Sequence, residues 1–157
     1  MLAGQAPVLV IGIGNAYRCD DAAGLAVARR LQTEHPEGVQ ILEHSGEGGS
    51  LLELWQGAAA VILVDAIHAN APPGTILRFD AGAAPLPADF FNLSTHAFGP
   101  AAAIELARTL GILPRLTIVY GIEGATFQAG MELSPAVARS VEETATRVLH
   151  ELSQNIP

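Results

Sequence analysis

The chain has 157 residues, half of them hydrophobic and 15% charged, with a mean hydropathy of +0.34; this is enough apolar material for one domain over residues 1–157 and excludes a disordered chain. The net charge of −8 comes with eight arginines and no lysine, so nucleic-acid phosphates are repelled and Schiff-base or P-loop lysine chemistry is excluded. Cys19 is the single cysteine, which rules out an intrachain disulfide or a cysteine metal cluster and fits a reducing, cytoplasmic setting.

Val8–Ile13 is a nearly continuous apolar run and predicts a buried central strand. A helix is expected from about Asp21 to Thr33, its Ala22/Ala23, Ala26/Val27 and Arg30/Leu31 spacing fitting one inward face, with Arg29 and Glu34 outside. Val39–Glu43 reads as a strand and Ser50–Gln56 as a short helix. Ala58–Val64 is a fully apolar strand that ends at Asp65, and Gly74–Phe79 reads as an edge strand introduced by Pro72-Pro73-Gly74.

Pro85 and Pro87 mark a loop. Ala101–Leu110 is helical and stops at Gly111; Leu116–Tyr120 is a strand followed by a loop containing Gly121, Gly124 and Gly130. The last helix has Ser134 as N-cap and Pro135 at its first position, with Val137, Val141, Ala145, Val148, Leu149 and Leu152 toward the sheet. No apolar run reaches the length of a membrane span, and the first residues lack the basic start of a signal peptide, so no membrane partner is expected.

Alternating strands and helices predict an α/β fold with a mostly parallel sheet covered on both faces. Ligands of such sheets bind beyond the carboxyl ends of the strands, where this chain carries Gly12-Ile13-Gly14-Asn15, Asp20-Asp21, His44 to Gly49, Asp65 to His68 and His96. Gly12-x-Gly14 fails as a dinucleotide fingerprint, because position 17 is Tyr and two aspartates stand where phosphates would approach. Of Asp20 and Asp21, one is expected to cap the helix, more readily Asp20, while its neighbour faces the cleft.

Asp65 ends a buried strand, and a carboxylate there needs a partner, a metal or a helix N-terminus, unless it caps the following loop as an Asx-turn. His96 falls either in the first turn of a helix capped by Thr95, or in the loop before a helix capped by Gly99 with Pro100 at its first position. Two carboxylates and an imidazole form a set that suits nickel, zinc or iron.

These segments together resemble the hydrogenase maturation endopeptidases. Gly12-x-Gly14-Asn15 followed by Asp20-Asp21-x-x-Gly24 is similar to the opening motif of that family. Val64-Asp65-Ala66, Ser94-Thr95-His96-x-x-Gly99 and Gly121-Ile122-Glu123 with Gly130 to Ser134 resemble the later ones. The resemblance implies a three-layer α/β/α fold with a twisted five-stranded sheet and one antiparallel strand, Gly74–Phe79. It also implies a monomeric endopeptidase that removes the C-terminal extension of a nickel–iron hydrogenase large-subunit precursor after nickel insertion.

By the same resemblance Asp21, Asp65 and His96 contact nickel supplied by the precursor, Asp20 is a catalytic helper, and no organic cofactor is needed. One segment departs from the family pattern: His44-Ser45-Gly46-Glu47-Gly48-Gly49 replaces an Asp-Gly-Gly-Thr type, so His44 and Glu47 join the candidate ligands or acid–base groups. His68 reads as a surface-loop residue. Competing readings are a binding module that grips a metal-bearing partner without cutting it, and a nucleotide-dependent enzyme.

Overall fold

A computed structural model describes residues 4–93 and 96–156. β1 (Val8–Ile13), β2 (Val39–His44), β3 (Ala60–Ile67), β4 (Ile76–Asp80) and β5 (Leu116–Glu123) form a single sheet in the order β2-β1-β3-β5-β4. All pairings are parallel except β4 with β5. Every residue of β3 is buried, as a central strand covered on both faces requires.

Alternation along the strands divides the core in two. Leu9, Ile11, Val61, Leu63 and Ile67 pack against Leu51 and Trp55 of α2 (Gly48–Trp55) and Ile104 of α3 (Pro100–Leu110). Val10, Ile62, Val64 and Ile118 pack on the other face, against Val27 and Leu31 of α1 (Ala23–Gln32) and Val137, Val141 and Val148 of α4 (Pro135–Gln154). The result is the expected three layers.

Several boundaries differ from the sequence reading, each for a local reason. β3 continues past Asp65 to Ile67 and β5 past Tyr120 to Glu123, with Asp65 paired to Gly121 and Ile67 to Glu123. Gly121 therefore belongs to the strand: a Cβ there would stand 2.7 Å from the Ile67 side chain. α2 starts at Gly48 because Glu47 is its N-cap, both carboxylate oxygens accepting backbone N–H groups of Gly49 and Ser50 at 2.8 Å. A 3₁₀ turn, Cys19–Ala22, precedes α1.

Gly99 caps α3 with Pro100 in its first turn, and Gly111 ends the helix in a left-handed conformation at φ 71°. This choice of cap places His96 in the preceding loop. The Ser94-Thr95 part of that motif lies outside the described residues. Among the described residues, no helix is long and apolar enough to cross a membrane.

The chain leaves β1 toward β2 on one side, while β3 lies on the other. The carboxyl ends of β1 and β3 thus flank the switch point of the sheet, the usual place for a ligand site in this architecture.

Candidate active site

Three glycines bring α1 down onto this edge. A Cβ at Gly12 would lie 2.2 Å from the Gly24 carbonyl oxygen, one at Gly24 would lie 2.2 Å from that of Val64, and one at Gly14 would lie 2.1 Å from that of Asp21. The Gly12-x-Gly14 pair is therefore spent on close backbone packing. Asp21 Oδ2 accepts the backbone N–H of Asn15 at 3.0 Å, so the kind of donor a phosphate would need is already occupied. This geometry argues against the nucleotide reading.

The packing opens a cleft of about 280 Å³ whose walls include Ile13, Asn15, Tyr17, Arg18, Ser45, Asp21, Asp65 and His96. Asp21 and Asp65 are only 6% and 8% exposed. Burial pushes the Asp65 carboxyl well above the usual carboxylate range, and the neighbouring Asp21 charge pushes it further, against the backbone N–H of Ala66. Burial also raises Asp21, although the Arg18 guanidinium and the Asn15 N–H hold part of that rise back. Two buried carboxylates repelling each other across a cleft form a site that a cation or a proton relieves.

Neither aspartate caps α1, whose N-cap is Ala22 without a side-chain bond, and Asp20 points away from the cleft. It is fully buried, and its carboxylate accepts the N–H groups of Ala125 (2.8 Å), Thr126 (3.1 Å) and Ser134 (2.8 Å) and the Ser134 hydroxyl (2.8 Å). Burial alone would raise this carboxyl, but the bonds from Ser134, Ala125 and Thr126 outweigh it and hold the group below its ordinary value. Ser134 does occupy the N-cap position of α4, yet its hydroxyl serves Asp20 rather than its own helix.

His96 lines the cleft and is electrostatically coupled to His44 and Glu47. His44 Nδ1 accepts the Gly46 N–H at 2.9 Å, which leaves the proton of the neutral ring on Nε2, 2.8 Å from Ser50 Oγ. Burial lowers the His44 imidazole, Glu47 opposes and His96 adds to the lowering. In this tautomer His44 donates to Ser50 and cannot take its proton, so the pair is not an activated nucleophile. Glu47 is committed to capping α2. His68 is 58% exposed at its side chain, 3.7 Å from Glu123, and does not line the cleft.

Sequence reasoning passed over Arg18, which lines the cleft, faces Asp21 and donates from Nη1 to the Leu93 carbonyl at 3.0 Å, tying the β1 loop to the segment before His96. Its place between the Gly-x-Gly turn and Asp21 was the available signal. Among the described residues, no group of three His, Cys, Asp or Glu is placed to hold a metal ion by itself.

A model of the hydrogenase maturation protease family (HycI) matches residues 25–151. The chain is 29% identical over 154 residues to hydrogenase 2 maturation protease of Escherichia coli (strain K12), covering 94% of this chain and 92% of that protein. It is 28% identical over 148 residues to hydrogenase expression/formation protein HupD of Rhodobacter capsulatus, covering 92% and 70%. The hydrogenase maturating endopeptidase HybD from E. coli superimposes with a TM-score of 0.80 at 27% identity, over 94% of this chain and 93% of that one. The five-stranded sheet, with its one antiparallel strand, is shared with that endopeptidase. With its family match running from α1 almost to the end of α4, the chain belongs to the hydrogenase maturation proteases, enzymes that hydrolyse peptide bonds.

Proposed function

We propose that the protein removes the C-terminal extension of a nickel–iron hydrogenase large-subunit precursor once that precursor carries nickel, and that Asp21, Asp65 and His96 read the substrate-borne ion. The observation that carries this reading is the pair of buried, mutually repelling carboxylates beside His96 in one cleft. Carboxylate and imidazole are both nickel ligands. An ion that arrives with ligands of its own needs only part of a set from the cleft.

The protein's own residues do three things in this scheme. Asp65 holds its proton to higher pH than an ordinary carboxylic acid, and a cation in the cleft favours its ionised form. Arg18 and the Asn15 N–H orient Asp21 toward the same space. Asp20 anchors the 125–134 segment against the turn that carries Asp21, which makes it a positioning residue rather than a group touching the reaction. Hydrolysis adds water across the scissile C–N bond, the carbonyl carbon gaining the oxygen and the leaving nitrogen a proton. The precursor's nickel supplies polarisation of the carbonyl or of that water.

A cleft in which Arg18 offsets only part of the charge of two carboxylates binds a metal-bearing precursor in preference to a metal-free one, which couples cleavage to correct loading. The test is the mass of a nickel-loaded precursor after incubation with the protein. Loss of a C-terminal peptide, abolished by Asp21→Asn, supports a protease. An intact cognate precursor that nonetheless binds would leave a non-cleaving binding module as the better reading.

A further inference from the structure

We propose that a second cavity, framed by Leu86, Phe91, Pro100 and Ala102, is a specificity pocket that takes one aliphatic side chain of the precursor next to the scissile bond. The inference rests on the protease reading above. The cavity measures about 200 Å³, the scale of a single side chain rather than of a separate ligand. His96 lines both this cavity and the cleft, so the two share a wall at a residue proposed to face the reacting centre. A peptide passing through the cleft would therefore bring a side chain near its scissile bond to the mouth of the cavity.

The lining selects the chemistry. Leu86 and Phe91 are buried in the core beneath α3, and Pro100 is fixed in the first turn of that helix by the Gly99 cap. These walls are preformed and apolar, as side-chain pockets commonly are. Among the described residues, Glu105 is the one carboxylate on the lining, and it is engaged by Arg108, whose Nε and Nη2 lie 3.3 and 3.2 Å from its two oxygens. Arg108 Nη2 is itself held by the Ala81 carbonyl at 2.6 Å. With that charge shared with Arg108, and Asn92 the other polar side chain beside His96, a basic side chain recovers less hydration than it loses, whereas an aliphatic one has none to lose.

The experiment measures kcat/KM, by mass, for nickel-loaded precursors in which each residue flanking the scissile bond is changed to Gly, Leu or Lys. Wild-type protein and Ala102→Leu are compared. Ala102 is exposed in the first turn of α3, so the larger side chain occupies the cavity mouth without entering the core. At one flanking position, wild-type protein should lose at least about tenfold when the aliphatic residue becomes Gly or Lys. Ala102→Leu should lose a similar factor on the native precursor and no longer distinguish it from the Gly version. A size dependence unchanged in Ala102→Leu, none at any flanking position, or equal acceptance of Lys would overturn the pocket. Wild-type protein that cleaves no precursor at all would overturn the protease reading, and the pocket with it.

Discussion

Asp20 and Asp21 are consecutive, yet their carboxylates serve opposite sides of one 3₁₀ turn: Asp20 is sealed under Ser134 at the start of α4, and Asp21 lines the cleft beside Asp65. The turn makes this division. Successive side chains in a tight helical turn point about a third of a revolution apart, and the glycines at 12, 14 and 24 press the turn against the sheet so that each direction meets a defined environment.

Asp20→Ala should therefore act on stability. It leaves three N–H groups and a hydroxyl around a buried position without their acceptor, and urea unfolding should show a loss of about 3 kcal/mol. Because Asp20 lies below its ordinary value of 3.8 when folded, its contribution is complete above 3.8. As pH falls, the unfolded chain takes up the proton first, and the contribution is gone once the folded carboxylate is protonated too. The gap between wild type and variant should close over that acid range. A gap that widens toward acid would contradict the assignment.

Asp65→Asn should do the reverse. The folded value of Asp65 lies well above the ordinary 3.8, so below 3.8 both states hold the proton and the group costs nothing. As pH rises, the unfolded chain ionises first and wild-type stability declines until the folded value is passed. At neutral pH the amide should be more stable by about 1 kcal/mol, a gain typical of relieving strain at a working site. That corresponds to roughly 2–4 °C in Tm for a chain of this size. The gain should vanish below 3.8, and cleavage should be lost throughout. Thermal scans at several pH values, paired with a cleavage assay, check both halves.

Much of this was legible in the sequence. Val8–Ile13 and the run ending at Asp65 announced buried parallel strands by their unbroken apolar character, and Pro135 marked the start of α4. That one of Asp20 and Asp21 would face the cleft was legible, but the capping role expected of Asp20 was not borne out: its carboxylate serves Ala125, Thr126 and Ser134, far along the chain, and not α1. Less was legible where tertiary contact decides. Gly121 reads locally as a turn residue and lies in a strand because Ile67 needs the space. Glu47 has no capping signature ahead of two glycines, yet it caps α2. The cluster of Glu151 with Arg78 and Tyr120 was not visible at all, since its members come from α4, β4 and β5.

That cluster yields a separate prediction. Glu151 is 3% exposed, accepts from Arg78 Nε at 2.6 Å and from the Tyr120 hydroxyl at 2.9 Å, and burial with the neighbouring carboxylate pushes the Tyr120 phenol up to about 12. Tyr120→Phe should cost about 1.5 kcal/mol, the low end for one hydrogen bond to a charged acceptor, and Glu151→Ala about 2 kcal/mol. The second figure stays modest because Arg78 is 43% exposed and can turn to water. None of the three lines the cleft, so cleavage rates of the folded variants should match wild type. A fall in rate without a fall in stability would place this cluster in the working machinery.

The most direct test of the central claim compares the rate at which wild-type protein shortens a large-subunit precursor with and without nickel. The cleft of Asp21, Asp65 and His96 predicts loss of the C-terminal peptide from nickel-loaded precursor alone, and no shortening of either form by Asp21→Asn. Equal cleavage of nickel-free precursor by wild-type protein, or undiminished cleavage by Asp21→Asn, would contradict it.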